Sequence, residues 1–179
     1  MITRLKTRLQ RFRKHETGSV ILVEFMILVP VLFGSFFMAM ELGMYSIRQM
    51  QLDRGLEVTT REVRLNTARQ FTHDDLKESI CINSGFLPNC SETLRLEMVP
   101  VDPRNFVGLP DALDCVDTSQ PVQPVRGFTL GEQHELMIMR VCYKFNPVFP
   151  STGLGETFVK DGSGRVAMTS MSAFVQEPS

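Results

Sequence analysis

The sequence predicts an α+β protein: an N-terminal transmembrane helix that continues into a stalk helix, then a short helix and a small antiparallel sheet. Three observations predict it. Val20 to Met40 is a run of twenty-one residues whose single charge is Glu24. All four cysteines (Cys81, Cys90, Cys115 and Cys142) lie after that run. Three strand-like stretches, 94–101, 135–145 and 165–174, close the chain. At 179 residues, 43% hydrophobic and 22% charged, the chain suits one modest domain. With 19 Lys plus Arg against 20 Asp plus Glu it is near neutral, which excludes a generally basic nucleic-acid binder.

Residues 1–18 form a basic leader, in which Arg4, Lys6, Arg8, Arg11, Arg13 and Lys14 face Glu16 alone, whereas thirteen basic and seventeen acidic residues fall between 42 and 179. Residues 19–41 are the span. At about 1.5 Å rise per residue the apolar run crosses roughly 30 Å of hydrocarbon, and it is apolar on every face, unlike the stripe of a surface helix. The positive-inside bias places the leader in the cytoplasm and everything after Glu41 outside it. The run exceeds the h-region of a cleaved secretory signal and lacks a small-x-small site at its end, so it reads as a signal anchor.

Glu24 is the costly residue of this segment: a carboxylate at the bilayer centre costs on the order of 2–3 kcal/mol, less near an edge. It stands one turn into a helix that follows Gly18 and Ser19. A basic leader, a glycine and an apolar helix with one acid near its start together resemble the type IV pilin class. In that class a prepilin peptidase cuts after the glycine, and the acid neutralises the newly exposed amine. Within that class, Val23-Glu24-Phe25-Met-Ile-Leu-Val-Pro30, Glu41-Leu-Gly43, Val63-Arg64-Leu65 and the terminal Ser172-Ala-Phe174-Val-Gln-Glu177-Pro178 resemble the TadE/TadG-like pseudopilins of the tight-adherence (Flp, type IVb) pilus system. The likeness covers the first seventy residues well and the rest loosely. One departure stands out: five residues, not the family's usual four, separate Gly18 from Glu24. The extra residue turns the helix by about 100°; cleavage after Ser19 would restore the register but places serine where the peptidase prefers glycine.

Residues 42–70 read as a helical stalk without proline, with apolar Leu42, Tyr45, Ile47, Met50, Leu56, Val63 and Leu65 and one favourable i, i+4 pair, Glu57 with Arg61. Gly43 and Gly55 each weaken it by about 1 kcal/mol relative to Ala. Residues 71–179 form the exported head. Thr72 caps a short helix with Asp75 at its third position, which turns Leu76 and Ile80 inward. Four exported cysteines favour two disulfides and leave three connectivities. The turn-rich loop between Cys81 and Cys90 favours a local bridge, which would leave Cys115 to Cys142. Leu94, Leu96 and Met98 alternate with Arg95 and Glu97, residues 135–145 are apolar on both faces and read as the central strand, and Asp161-Gly-Ser-Gly164 turns into the third. Residues 102–133, rich in proline and glycine, read mostly as loop.

Catalytic patterns are missing from this sequence. His15, His73 and His134 are dispersed, Gly153-Leu-Gly155 lacks the rest of a phosphate loop, and the cysteines have no C-x-x-C spacing. Asp111, Asp114 and Asp117 read as a solvated acidic loop in preference to a calcium site. No metal, cofactor or enzymatic activity is expected. The resemblance implies a pseudopilin of a bacterial inner membrane, N-terminus cytoplasmic and head periplasmic. Its implied partners are the prepilin peptidase, pilus subunits and assembly-platform proteins. Gly18 and Ser19 are then the processing site, Glu24 the assembly counter-charge, and Pro30, Gly34, Ser35 and Gly43 the helix-packing positions. The alternative is an uncleaved, signal-anchored periplasmic binding or envelope scaffold protein.

Overall fold

The computed structural model of the protein describes residues 17–66, 69–104, 113, 115 and 127–178. Its elements are α1 (Thr17–Leu65), α2 (His73–Asn83), α3 (Cys90–Thr93), β1 (Leu94–Pro100), β2 (Leu136–Phe145), α4 (Leu154–Thr157) and β3 (Val166–Val175). This is the expected α+β class, with the expected short helix and antiparallel three-stranded sheet. Two compact units divide the chain, Met1–Met40 and Glu41–Ser179.

In the first unit, α1 runs through Pro30 without interruption. Proline removes one intrahelical hydrogen bond, a loss that apolar spans tolerate. From Val20 to Met40 the large side chains are mostly exposed, from 38% at Phe37 to 68% at Ile21. A helix that is apolar all round and buries no large side chain against the described residues calls for another medium for that surface.

The second unit begins within the same helix, and here the helix is shorter than the expected stalk. Its helix ends at Leu65, not Gln70. The backbone N–H and side-chain amide of Asn66 both bond the Glu62 carbonyl, at 3.0 and 3.1 Å, and asparagine's competition for backbone groups favours ending a helix there. Residues 41–65 are also part of the compact unit. Leu52, Leu56, Thr59, Thr60 and Val63 recur at helical spacing and are buried, whereas Leu42, Ile47, Met50 and Leu65 are exposed. The anticipated Glu57–Arg61 pair does not form; Arg64 bonds Glu177 at 2.8 Å and Arg69 approaches Glu62 at 3.8 Å. An exposed helical pair contributes only a few tenths of a kcal/mol, too little to hold two mobile side chains together.

Helix α2 starts as its sequence dictates. Thr72 Oγ1 accepts from Asp75 N at 3.2 Å, and Asp75 Oδ2 accepts from Thr72 N at 3.0 Å, which closes a reciprocal cap. Leu76 and Ile80 are fully buried. The sheet order is β1-β2-β3, all antiparallel, so the doubly apolar β2 is central. Leu94, Leu96 and Met98 of β1 share a face with Met137, Met139 and Val141 of β2 and with Met168 and Phe174 of β3. With Leu52, Leu56, Leu76 and Ile80 they form one core cluster. The opposite face of β1 and β2 is also buried, at Glu97, Val99, Ile138, Arg140 and Cys142. Two single helical turns, α3 and α4, were not anticipated. They are four residues each, below the length at which periodicity can be read.

Candidate functional site

The residues singled out for processing and assembly lie on one helix. Gly18 and Ser19 are in the first turn of α1, and only their backbone is described. Glu24 follows on the same helix with its side chain exposed, and no hydrogen bond or ion pair joins it to a described residue. Among the described residues from Val20 to Met40 it is the one charge, surrounded along the helix by exposed Val20, Val23, Ile27 and Leu28. An acid so placed gains most from a cation brought by another molecule, because in a medium of low dielectric an unpaired charge is costly and a paired one strongly held.

The small residues of this helix have open surroundings. A Cβ added at Gly34 or Gly43 would meet nothing within 4 Å. Ser35 Oγ bonds back to the Leu32 carbonyl at 2.9 Å and so carries no unmet donor. Gly55 behaves differently. A Cβ there would fall 2.7 Å from the Ile80 carbonyl oxygen and onto the Ser84 hydroxyl, so this glycine permits close packing of α1 against the end of α2. Its unfavourable helix propensity was legible in sequence; the close approach that requires it was not.

Glu41, read in sequence as the end of the span, is 1% exposed. Its two carboxylate oxygens accept backbone N–H groups of Val148 and Phe149 at 3.1 and 2.8 Å. Such charge-assisted bonds fix the first residue of the second unit to the loop after β2. The same loop explains the Gly153-Leu-Gly155 sequence. A Cβ on Gly155 would strike the Phe149 carbonyl oxygen, so the glycine serves packing.

Both disulfides are present among the described residues. Cys81–Cys90 closes the local loop, and Cys115–Cys142 ties a residue far from β2 in sequence to the centre of that strand. Two ion pairs that spacing alone did not reveal stand on the same sheet face. Glu97 and Arg140 are direct cross-strand neighbours, with Arg140 Nη2 and Nε at 2.6 and 3.1 Å from Glu97 Oε2. Lys144 Nζ lies 2.6 Å from Asp161 Oδ2. Burial of Asp161 opposes its ionisation, but bonds from Lys144, the Ser163 hydroxyl and the Arg165 and Ser163 amides outweigh it. They hold the carboxyl well below the usual carboxylate range.

Among the described residues no group of three His, Cys, Asp or Glu side chains could hold a metal ion. His73 packs edge-on against Phe128, His134 holds a turn through its N–H to the Gln176 carbonyl, and His15, Asp111, Asp114 and Asp117 fall outside the described residues. The chain carries one described helix long and apolar enough to cross a membrane, near its N-terminus. Comparison with protein-family models, with curated proteins and with solved structures returned no match.

Proposed function

We propose that this chain is a membrane-anchored, pseudopilin-like component of tight-adherence (Flp, type IVb) pilus assembly that acts through protein–protein contacts, not catalysis. It sits in the bacterial inner membrane with the basic leader cytoplasmic and the disulfide-bonded head periplasmic. A prepilin peptidase removes the leader after Gly18 or Ser19. The observation that carries this reading is Glu24: an exposed carboxylate with no partner among the described residues, the one charge of the apolar run Val20 to Met40, which follows a basic leader that ends in glycine. The freed amine of the processed chain, or of a neighbouring subunit, supplies the cation that the acid lacks. Gly34, Ser35 and Gly43 leave room for another helix to approach.

A second reading keeps the leader and makes the chain an uncleaved anchor for a periplasmic binding or scaffold head. The spacing of Glu24 favours it, and so does the continuity of α1 from Thr17 through Gly18 and Ser19. The two diverge in one measurement: the N-terminal sequence and intact mass of the protein from its own membranes, with and without the host's prepilin peptidase. A start at Ser19 or Val20 that depends on the peptidase supports the pseudopilin and sets the register of Glu24. A start at Met1 in both strains supports the uncleaved anchor. In the first case Glu24→Gln blocks incorporation into the pilus machinery while the protein remains in the membrane; unchanged incorporation would remove the counter-charge role.

A further inference from the structure

Two arginines of the second unit line one small cleft, and among the described residues neither forms an ion pair. The cleft, about 110 Å³, is lined among others by Arg48 from α1, Tyr143, Lys144 and Phe145 from β2, and Arg165 before β3. It is well below the roughly 300–1,000 Å³ of sites that enclose a drug-sized ligand. Its size selects a single compact group. Lys144 is already neutralised by Asp161 at 2.6 Å. Arg48 gives one hydrogen bond, to the Asn146 carbonyl at 3.2 Å, and lies with its guanidinium carbon 4.8 Å from the centre of the Phe145 ring. That leaves most of its five donors without a partner among the described residues. The Arg165 guanidinium makes no hydrogen bond or ion pair with the described residues. Burial pushes the Tyr143 phenol up, and both guanidinium groups pull it the other way.

We propose that this cleft is a binding site for a carboxylate presented by a partner protein, held between Arg48 and Arg165. The planar guanidinium fork matches a carboxylate through two parallel hydrogen bonds. The lysine ammonium that serves a phosphate as a point charge is engaged elsewhere. The site lies wholly within the second unit and is independent of leader processing and of the pilus reading.

The test is an NMR titration of the full chain in uncharged detergent, with arginine side chains labelled with ¹⁵N. N-acetyl-glutamate α-amide serves as the probe, with inorganic phosphate and chloride at matched ionic strength as controls. The expected result is a saturable shift of the Arg48 and Arg165 Nε–H signals alone. Arg165→Gln, whose side chain gives up no hydrogen bond or ion pair to a described residue, should weaken binding by about tenfold or more. Arg104→Gln, outside the cleft, should not. No saturable shift overturns the site, and a phosphate response equal to or stronger than the carboxylate response overturns its selectivity for carboxylate.

Discussion

Leu28, Phe36 and Met38 in the first unit are 50–58% exposed, while Leu52, Phe145 and Met139 in the second are 0–4% exposed. The side chains are the same and the solution to their burial is opposite. In the second unit, alternate strand positions and one helix face turn inward, so water drives the segment to pack on itself. In the first unit no face differs from another, so the helix has nothing to fold onto and is matched to hydrocarbon. Charge follows the same division. Glu41, Glu97 and Asp161 are all hydrogen-bonded within the second unit, whereas Glu24 has no described partner.

The comparison breaks most visibly at a buried charge. Glu97→Ala should destabilise the head by about 3–5 kcal/mol, because it removes the carboxylate of a buried ion pair, and pairing it with Arg140→Met should recover much of that loss. Glu24→Ala should leave head stability unchanged. Urea unfolding of the full chain in uncharged detergent, followed by near-ultraviolet circular dichroism, reads both. In the same assay Leu56→Ala should cost about 2–5 kcal/mol through the cavity it leaves, and Leu28→Ala should cost the head nothing. A comparable loss from the two leucines would mean that the units do not fold independently.

Glycine sharpens the contrast within one helix. Gly43→Ala meets open space and should stabilise α1 by up to about 1 kcal/mol. At Gly55 the new methyl meets the Ile80 carbonyl and the Ser84 hydroxyl, so Gly55→Ala should lower the midpoint of thermal unfolding despite the better propensity. The last effect is read in acid and belongs to Asp161. Its folded pKa is depressed, so its contribution is complete above its ordinary value of about 3.9 and is lost as pH falls from there toward the folded value. Acid titration of stability should therefore steepen below about pH 4, and Asp161→Asn should flatten that part of the curve. An unaltered slope would mean that Asp161 titrates as it does in the unfolded chain.

Local elements were legible where neighbours within four positions settle them. Thr72 and Asp75 announce the start of α2, and Leu94, Leu96 and Met98 announce one face of β1. The end of α1 was misplaced because the helical pattern continues past Leu65 while Asn66 competes for the Glu62 carbonyl. Of the membrane helix, Glu24 and its glycine were visible as a lone charge and a punctuating residue in an apolar run. The Arg48–Arg165 cleft was not, since residues so distant in sequence share no pattern.

Sequence alone therefore determined the apolar span with its single acid, the cap of α2, the alternation of the strands and the placing of all four cysteines after the span, because each depends on composition or on spacing within a few residues. Tertiary structure decided that Glu41 meets Val148 and Phe149 more than a hundred residues away, that Arg140 lies opposite Glu97, and that Gly55 receives Ile80. Those pairings follow from strand register and helix approach, which minimise the energy of the whole packed core at once and leave no trace in any single segment.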